Sequence, residues 1–266
     1  MRILEKHLII NFIKDLLRKT NLYNIFCNFI DYFLYPKGST VVVHVGKTGG
    51  TSLGLGLAQK RAEKKNIFRV HVRKPLYRKD LKYIFMLRHP IGRVVSAFKF
   101  RYSQVVKNKI KGLPGEFKTL SKYQTIDNIA KSLYFENGLP NKKALKEIKN
   151  IHHIKEDIDY YLGNLLDKCE KEQIVGVLTQ ENLNKDIENL FGYINKFNER
   201  VMPFSVEEKN LSEQGFKNLI RFLEKDYKVI CKLFSLEKIT KDYFFKCFEK
   251  IWYLNINYFL YIKWIL

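Results

Sequence analysis

The sequence is short of cysteine, of acidic residues and of uninterrupted apolar runs, and each shortage removes a class of protein. Four cysteines, Cys27, Cys169, Cys231 and Cys247, stand far apart in 266 residues and form no CxxC pair. That is too sparse for a disulfide scaffold and the wrong spacing for a zinc knuckle, so reduced, packed thiols are expected. The six histidines include one neighbouring pair, His152–His153. Adjacent residues do not share a helix face and make a poor two-ligand site, so no metal is expected. A membrane span needs about 20 largely apolar residues. Met1 to Tyr35 is apolar but interrupted by Arg2, Glu5, Lys6, Lys14, Asp15, Arg18, Lys19 and Asp31, and Ile251 to Ile262 is uncharged but short. Both ends are read as helical extensions that pack on the domain core, the alternative being amphipathic helices on a membrane or partner. With no secretory signal visible, the expected location is cytoplasmic, with peripheral membrane contact through the termini as the open option.

What is present is a globular composition, 46% apolar and 14% aromatic. The 48 basic against 27 acidic residues leave a formal charge of +21. Such a surplus implies anionic partners: nucleotides, acidic glycans, nucleic acid or an anionic membrane. Pro36-Lys37-Gly38-Ser39 separates an N-terminal helical region from Val41–Val45, a β-branched run of the kind found in a strand buried on both faces. A Gly-rich loop and a helix over Ser52–Lys65 come next, then strands over Ile67–Val72 and Tyr83–Leu87 and a helix from Ile91 to about Val106. Residues 107–166 read as mostly helical, Gln173–Leu178 as a strand, Asn184–Phe191 as a helix and Ser212–Leu233 as a last helix. Strands alternating with helices predict an α/β fold, a parallel sheet covered on both faces. The expected organisation is a helical extension over 1–38, one domain over 39–235 and a helical, aromatic extension over 236–266.

The stretch His44-Val45-Gly46-Lys47-Thr48-Gly49-Gly50-Thr51-Ser52-Leu53 carries the most chemistry. It sets a strand, glycines, a lysine and a helix start in succession. Glycine lets backbone N–H groups close on phosphate oxygens, the helix dipole favours the anion, and Lys47 adds a full charge. It is not a Walker A loop, because position 41 is Val where that pattern needs Gly. A carboxylate to help hold magnesium is also missing: Tyr83–Leu87 runs into Arg88-His89-Pro90, and only Glu181 comes after the later strand. Arg88, at a strand's carboxyl end, with Arg93 and Ser96 on the next helix, makes a second anion clamp. Two phosphate sites without a magnesium carboxylate suit a ligand with separated phosphates, such as adenosine 3′,5′-bisphosphate.

The sequence here resembles the sulfotransferase superfamily, nearest its carbohydrate (heparan-sulfate 2-O-like) branch and bacterial relatives. His44–Leu53 looks like the family's 5′-phosphosulfate loop. Arg88-His89-Pro90-Ile91-Gly92-Arg93-Val94-Val95-Ser96 looks like its 3′-phosphate motif, Arg-Asp-Pro-x-x-Arg-x-x-Ser, with His89 in the place of Asp. Weaker likeness runs through Ile148–His153, Val175–Leu183 and Leu223–Tyr227. The resemblance implies a P-loop-like three-layer fold and metal-free transfer of a sulfuryl group from 3′-phosphoadenosine-5′-phosphosulfate to an acceptor hydroxyl, a saccharide by branch. It implies that Gly46, Lys47, Thr48, Gly49, Gly50, Thr51 and Ser52 bind the 5′ end, and Arg88 and Ser96, helped by Arg93, the 3′-phosphate. Lys47 would meet the leaving oxygen. His71 would be the base, with His153 its rival and Glu181 a third candidate. The competing readings are a magnesium-dependent P-loop kinase or triphosphatase, and a basic nucleic-acid module, for which no recognition motif is present.

Overall fold

The computed structural model describes residues 22–50, 66–192 and 211–253. Among them, β1 (Thr40–His44), β2 (Ile67–His71), β3 (Lys82–Leu87) and β4 (Ile174–Thr179) form one sheet in the order β2-β1-β3-β4. Every pairing is parallel. The helices are α1 (Leu22–Leu34), α2 (Pro90–Arg101), α3 (Glu116–Tyr123), α4 (Ile126–Ser132), α5 (Lys142–Ile148), α6 (Ile158–Leu166), α7 (Leu183–Phe191), α8 (Glu213–Phe222), α9 (Glu224–Ser235) and α10 (Lys241–Tyr253). The chain is thus an α/β protein with a central parallel sheet flanked by helices.

The strands form where they do because alternate side chains find apolar cover on opposite faces. Val41, Val43, Tyr83, Phe85 and Leu87 enter a large cluster with Ile91, Val94 and Val95 of α2, Ile129, Leu162, Ile230 and Phe248. Val42, Ile84 and Met86 enter a smaller one with Leu178 and with Leu183 and Ile187 of α7. The register sets His44 beside His71 on one side and beside Met86 on the other. The direction of winding changes at β1: β2 lies to one side, β3 and β4 to the other. In open parallel sheets ligands collect at such a point, outside the carboxyl ends of the strands. Here those ends carry the 45–50 loop and Arg88.

Several expected boundaries shift, for local reasons. The helix expected to run to Val106 leaves α-geometry after Arg101, and a π-helical turn spans Tyr102–Lys107, closed by the Asn108 N–H on the Ser103 carbonyl five residues back. The helix expected over Ser212–Leu233 is two, because α8 packs on α4 and α9 on α6. Straight through Leu223, one helix would not bury both stripes. Gln173 precedes β4 in a short 3₁₀ turn, its buried amide donating to the carbonyls of Arg78, Lys79 and Leu81. All four cysteines are free thiols. The described part of the C-terminal extension packs as expected: Tyr243, Phe244, Cys247, Phe248 and Ile251 of α10 belong to the main core. The helix expected over Ser52–Lys65 lies outside the described residues. No helix among the described residues is long and apolar enough to cross a membrane.

Phe85 sits fully buried on a strand with neighbours on both sides. Phe85→Ala is expected to lower unfolding free energy by about 3–5 kcal/mol through lost burial and a residual cavity. Phe29→Ala, on the outer face of α1, should shift it by less than about 0.5 kcal/mol. Urea midpoints at constant slope check both.

Candidate functional site

The 45–50 loop is pinned from beneath by its own backbone carbonyls. The buried Thr48 hydroxyl donates to the Val45 carbonyl at 2.7 Å, so Thr48, expected to bind ligand, has its proton turned into the loop. Arg88, at the end of β3, donates from Nη1 to the Lys47 carbonyl at 3.4 Å. Arg69 on β2 donates to the Gly50 carbonyl at 3.3 Å. Arg88 is 5% exposed and so shielded from bulk water. The Arg88 guanidinium therefore touches the backbone of the glycine–lysine loop. Lys47 itself extends to the α2 side, with Nζ 3.9 Å from the centroid of the Phe100 ring. Ser96 lies one turn before Phe100 on the same helix face. Between Pro90 and Phe98 it is the one residue that is not buried. Thr51 and Ser52 lie outside the described residues.

Glycine is required in this loop by close packing. A Cβ at Gly50 would stand 2.0 Å from the His44 ring, and one at Gly46 would stand 2.6 Å from His153 Nδ1. Gly49 has a φ of +81°, conformational space that L side chains rarely adopt.

Four imidazoles line up beside the loop. His44 and His71 stack with centroids 4.0 Å apart, His71 and His153 lie 6.0 Å apart at 24°, and His153 and His152 stack at 4.0 Å. Stacked rings aim their nitrogens outward in parallel planes rather than toward one point, and no metal-ligating group of three or more exists among the described residues. His71 Nδ1 lies 3.0 Å from the His44 carbonyl. A carbonyl can only accept, so Nδ1 carries the proton and Nε2 the lone pair. His153 Nδ1 is instead a buried nitrogen with no hydrogen-bond partner among the described residues.

Burial lowers the pKa of all four rings. It lowers His44 to about 2, with help from the charges of His71, Arg69 and Lys47, and lowers His153 to about 2, with help from His152, His71 and Lys47. His152 and His71 are also pushed down by burial; for His71 the His44 carbonyl opposes the shift.

Arg93 does other work than the expected help to a phosphate. It is fully buried, donating from Nη1 to the carbonyls of His153 at 2.5 Å and Glu156 at 3.2 Å, and Nη2 is 3.6 Å from Asp226 Oδ2. It faces the protein interior and holds the turn that presents the histidine pair. Glu116 holds the same turn from the other side. Its carboxylate is gripped through two hydrogen bonds by Arg101 and accepts the N–H groups of Leu113 and His152. Burial alone would raise Glu116, yet these partners keep it below the usual carboxylate range. No local pattern signals this bracket, since its members lie up to 133 positions apart.

His89 caps α2: Nδ1 accepts the Gly92 N–H, with Pro90 at the first helical position. Glu181 accepts the His89 N–H at 3.0 Å, so at least this oxygen orients the Arg88 loop. Backbone strain marks the same place. Among the described residues six non-glycines have positive φ; three are Lys47 (71°), His153 (68°) and Val72 (60°), the residue after His71. For β-branched Val72 this is a true outlier, and strained conformations collect at functional sites.

A cavity of about 480 Å³ lined by Thr40, Ile67, Lys82, Ile84, Val175 and Phe191 opens at the opposite, amino-terminal end of the strands. Its lining holds one charged side chain, Lys82, and does not compete with the crevice as a site for chemistry. No protein-family model, curated protein or solved structure matches the chain.

A histidine kept neutral in the fold but free to charge when unfolded opposes folding in acid. The unfolded chain takes up the proton below about pH 6.5 and the folded chain refuses it, so stability present above 6.5 is lost as pH falls. His44, His153 and the buried cap His89, lowered to about 3, each contribute. Each adds a slope of at most about 1.4 kcal/mol per pH unit. Urea midpoints should begin to fall near pH 6.5, well above the carboxylate range; a flat profile from pH 7.5 to 5 would contradict the neutral column.

Proposed function

We propose that the chain transfers a sulfuryl group from 3′-phosphoadenosine-5′-phosphosulfate to an acceptor hydroxyl, on a P-loop-like fold. The observation that carries this reading is the contact of the Arg88 guanidinium with the Lys47 carbonyl. It sets the strand-end arginine and the glycine–lysine loop side by side at the point where the winding of the sheet reverses. Ser96 supports it by opening toward the same side from an otherwise buried stretch of α2. The loop fits a phosphate in its chemistry: glycines too closely packed for a side chain, a lysine, and carbonyls held by Arg69, Arg88 and the Thr48 hydroxyl.

In this reading the acceptor oxygen attacks sulfur, the bond from sulfur to the bridging phosphate oxygen breaks, and adenosine 3′,5′-bisphosphate leaves. Lys47 meets the negative charge that grows on the bridging oxygen. His71 receives the acceptor proton at Nε2, its tautomer fixed by the His44 carbonyl in the way a base is oriented by a third group. His153 serves less well. Its pKa of about 2 makes it a weak base, and its Nδ1 is closed in against Gly46. It packs on His71 and fixes that ring. The high positive charge favours an acidic acceptor such as a charged saccharide.

Adenosine 3′,5′-bisphosphate without magnesium should stabilise the wild-type protein by about 2.7 kcal/mol at 100 times its dissociation constant, roughly 5–10 °C in Tm. Lys47→Ala and Arg88→Ala should each remove most of the shift. Stabilisation by magnesium–ATP with none by the bisphosphate would replace this reading with the kinase one. Catalysis needs His71 unprotonated, and burial holds its pKa below 6.5. The rate should therefore rise with pH along a limb whose midpoint lies below 6.5 and level off above it. His71→Asn should lose both the limb and a factor of about 10²–10⁴ in kcat.

A further inference from the structure

The helix α1 is built inside out. A surface helix ordinarily turns apolar residues to the core and polar ones to water. In α1 the inward stripe is Asn24, Cys27, Asn28 and Asp31, and each polar member is tied to the loop after β2 or to α6. Asp31 pairs with Arg73 at 2.5 Å, Asn28 accepts from Arg73, and Asn24 accepts the Lys74 N–H at 2.9 Å and bonds the Tyr160 hydroxyl. The outward stripe is Leu22, Ile25, Phe29, Tyr32 and Phe33, each more than half exposed, with Phe33 at 71%. The three aromatic rings are in edge contact, Phe29–Phe33 at 5.1 Å and Tyr32–Phe33 at 5.5 Å. Isolated exposed apolar residues need no explanation, but a continuous stripe along one helix marks a contact surface.

Charge decides between its occupants. Arg78 donates to the Tyr32 and Tyr35 carbonyls and lies 5.4 Å from the centroid of the Tyr32 ring, and exposed Lys37 and Lys79 stand close to these contacts along the chain. Asp31 and Asp80 are each paired with an arginine. A second copy would bring one basic rim against another on a chain of net charge +21. Like charges so opposed disfavour that contact. An apolar, aromatic stripe rimmed by lysine matches the acyl boundary and headgroups of an anionic lipid leaflet, in which an amphipathic helix lies flat.

We infer that α1 is an interfacial helix that binds the protein peripherally to anionic membranes through Leu22, Ile25, Phe29, Tyr32 and Phe33. The inference does not depend on the catalytic reading. The test is flotation of the full chain with phosphatidylcholine vesicles, with and without phosphatidylglycerol, alongside sedimentation to track oligomeric state. The wild type should float only with the anionic vesicles and remain monomeric without lipid. Ile25→Glu/Phe33→Glu should weaken binding more than about tenfold, and Lys37→Glu/Lys79→Glu by about fivefold or more per lysine. Unchanged circular dichroism melts show that the variants fold, and the lysine pair keeps the test open should the apolar pair not fold. Three results would overturn the inference. They are a monomer that ignores anionic vesicles, a dimer that the Ile25→Glu/Phe33→Glu variant dissolves, or vesicle binding that neither variant reduces.

Discussion

Because β1 lies between β2 and β3 and all three run in one direction, the chain leaves the same edge of the sheet at three adjacent points. Neighbouring strands are about 4.8 Å apart, so the segments at their carboxyl ends are forced together. After β1 comes the glycine–lysine loop, at the end of β2 stands His71, and after β3 comes Arg88. The contacts of Arg88 and Arg69 with loop carbonyls, and of His71 with the His44 carbonyl, result from that proximity. Two buried apolar clusters, one per face, keep the strands in register.

The second requirement is a rigid support for the histidine pair. The turn carrying it comes from a distant part of the chain and is clamped by Arg93 and by the Arg101–Glu116 pair. Burying such charges is expensive. The Arg93–Asp226 contact is longer than a hydrogen bond, and burial pushes the Asp226 carboxyl upward against the pull of Arg93. Replacing a buried ion pair by apolar residues is often neutral or stabilising. Its presence here is best explained by what it positions: two carbonyls of the 153–156 turn, and through them a ring packed on His71. The same dry surroundings push the imidazole pKa values down, so one physical cause, exclusion of water, acts on both the geometry and the protonation equilibria.

Much of this could be read along the chain. The valine run of β1, the apolar run of β3, the glycine loop and Arg88 are local patterns with local causes, and the expected elements agree with the described ones to within a residue or two at most ends. Patterns that depend on partners were hidden. Arg93 reads as a phosphate helper because it shares a motif with Arg88 and Ser96, yet its place on α2 points it into the core. His44 and Arg69 escaped selection as site residues, although Arg69 lies two positions before His71 and so shares its strand face. α1 reads as a core-packing helix from composition, and only its contacts reveal that its asparagines and aspartate face inward.

The amino-acid sequence alone determined the class of fold, the position of the glycine–lysine loop and the excess of positive charge. Each is fixed by side-chain periodicity, by glycine's backbone freedom or by simple composition. Tertiary structure decided which histidine has a fixed tautomer, which arginine reaches the glycine–lysine loop and which the interior, and which face of α1 meets the outside. Those outcomes rest on atoms contributed by segments far apart in the chain, and no local rule records which of them will meet.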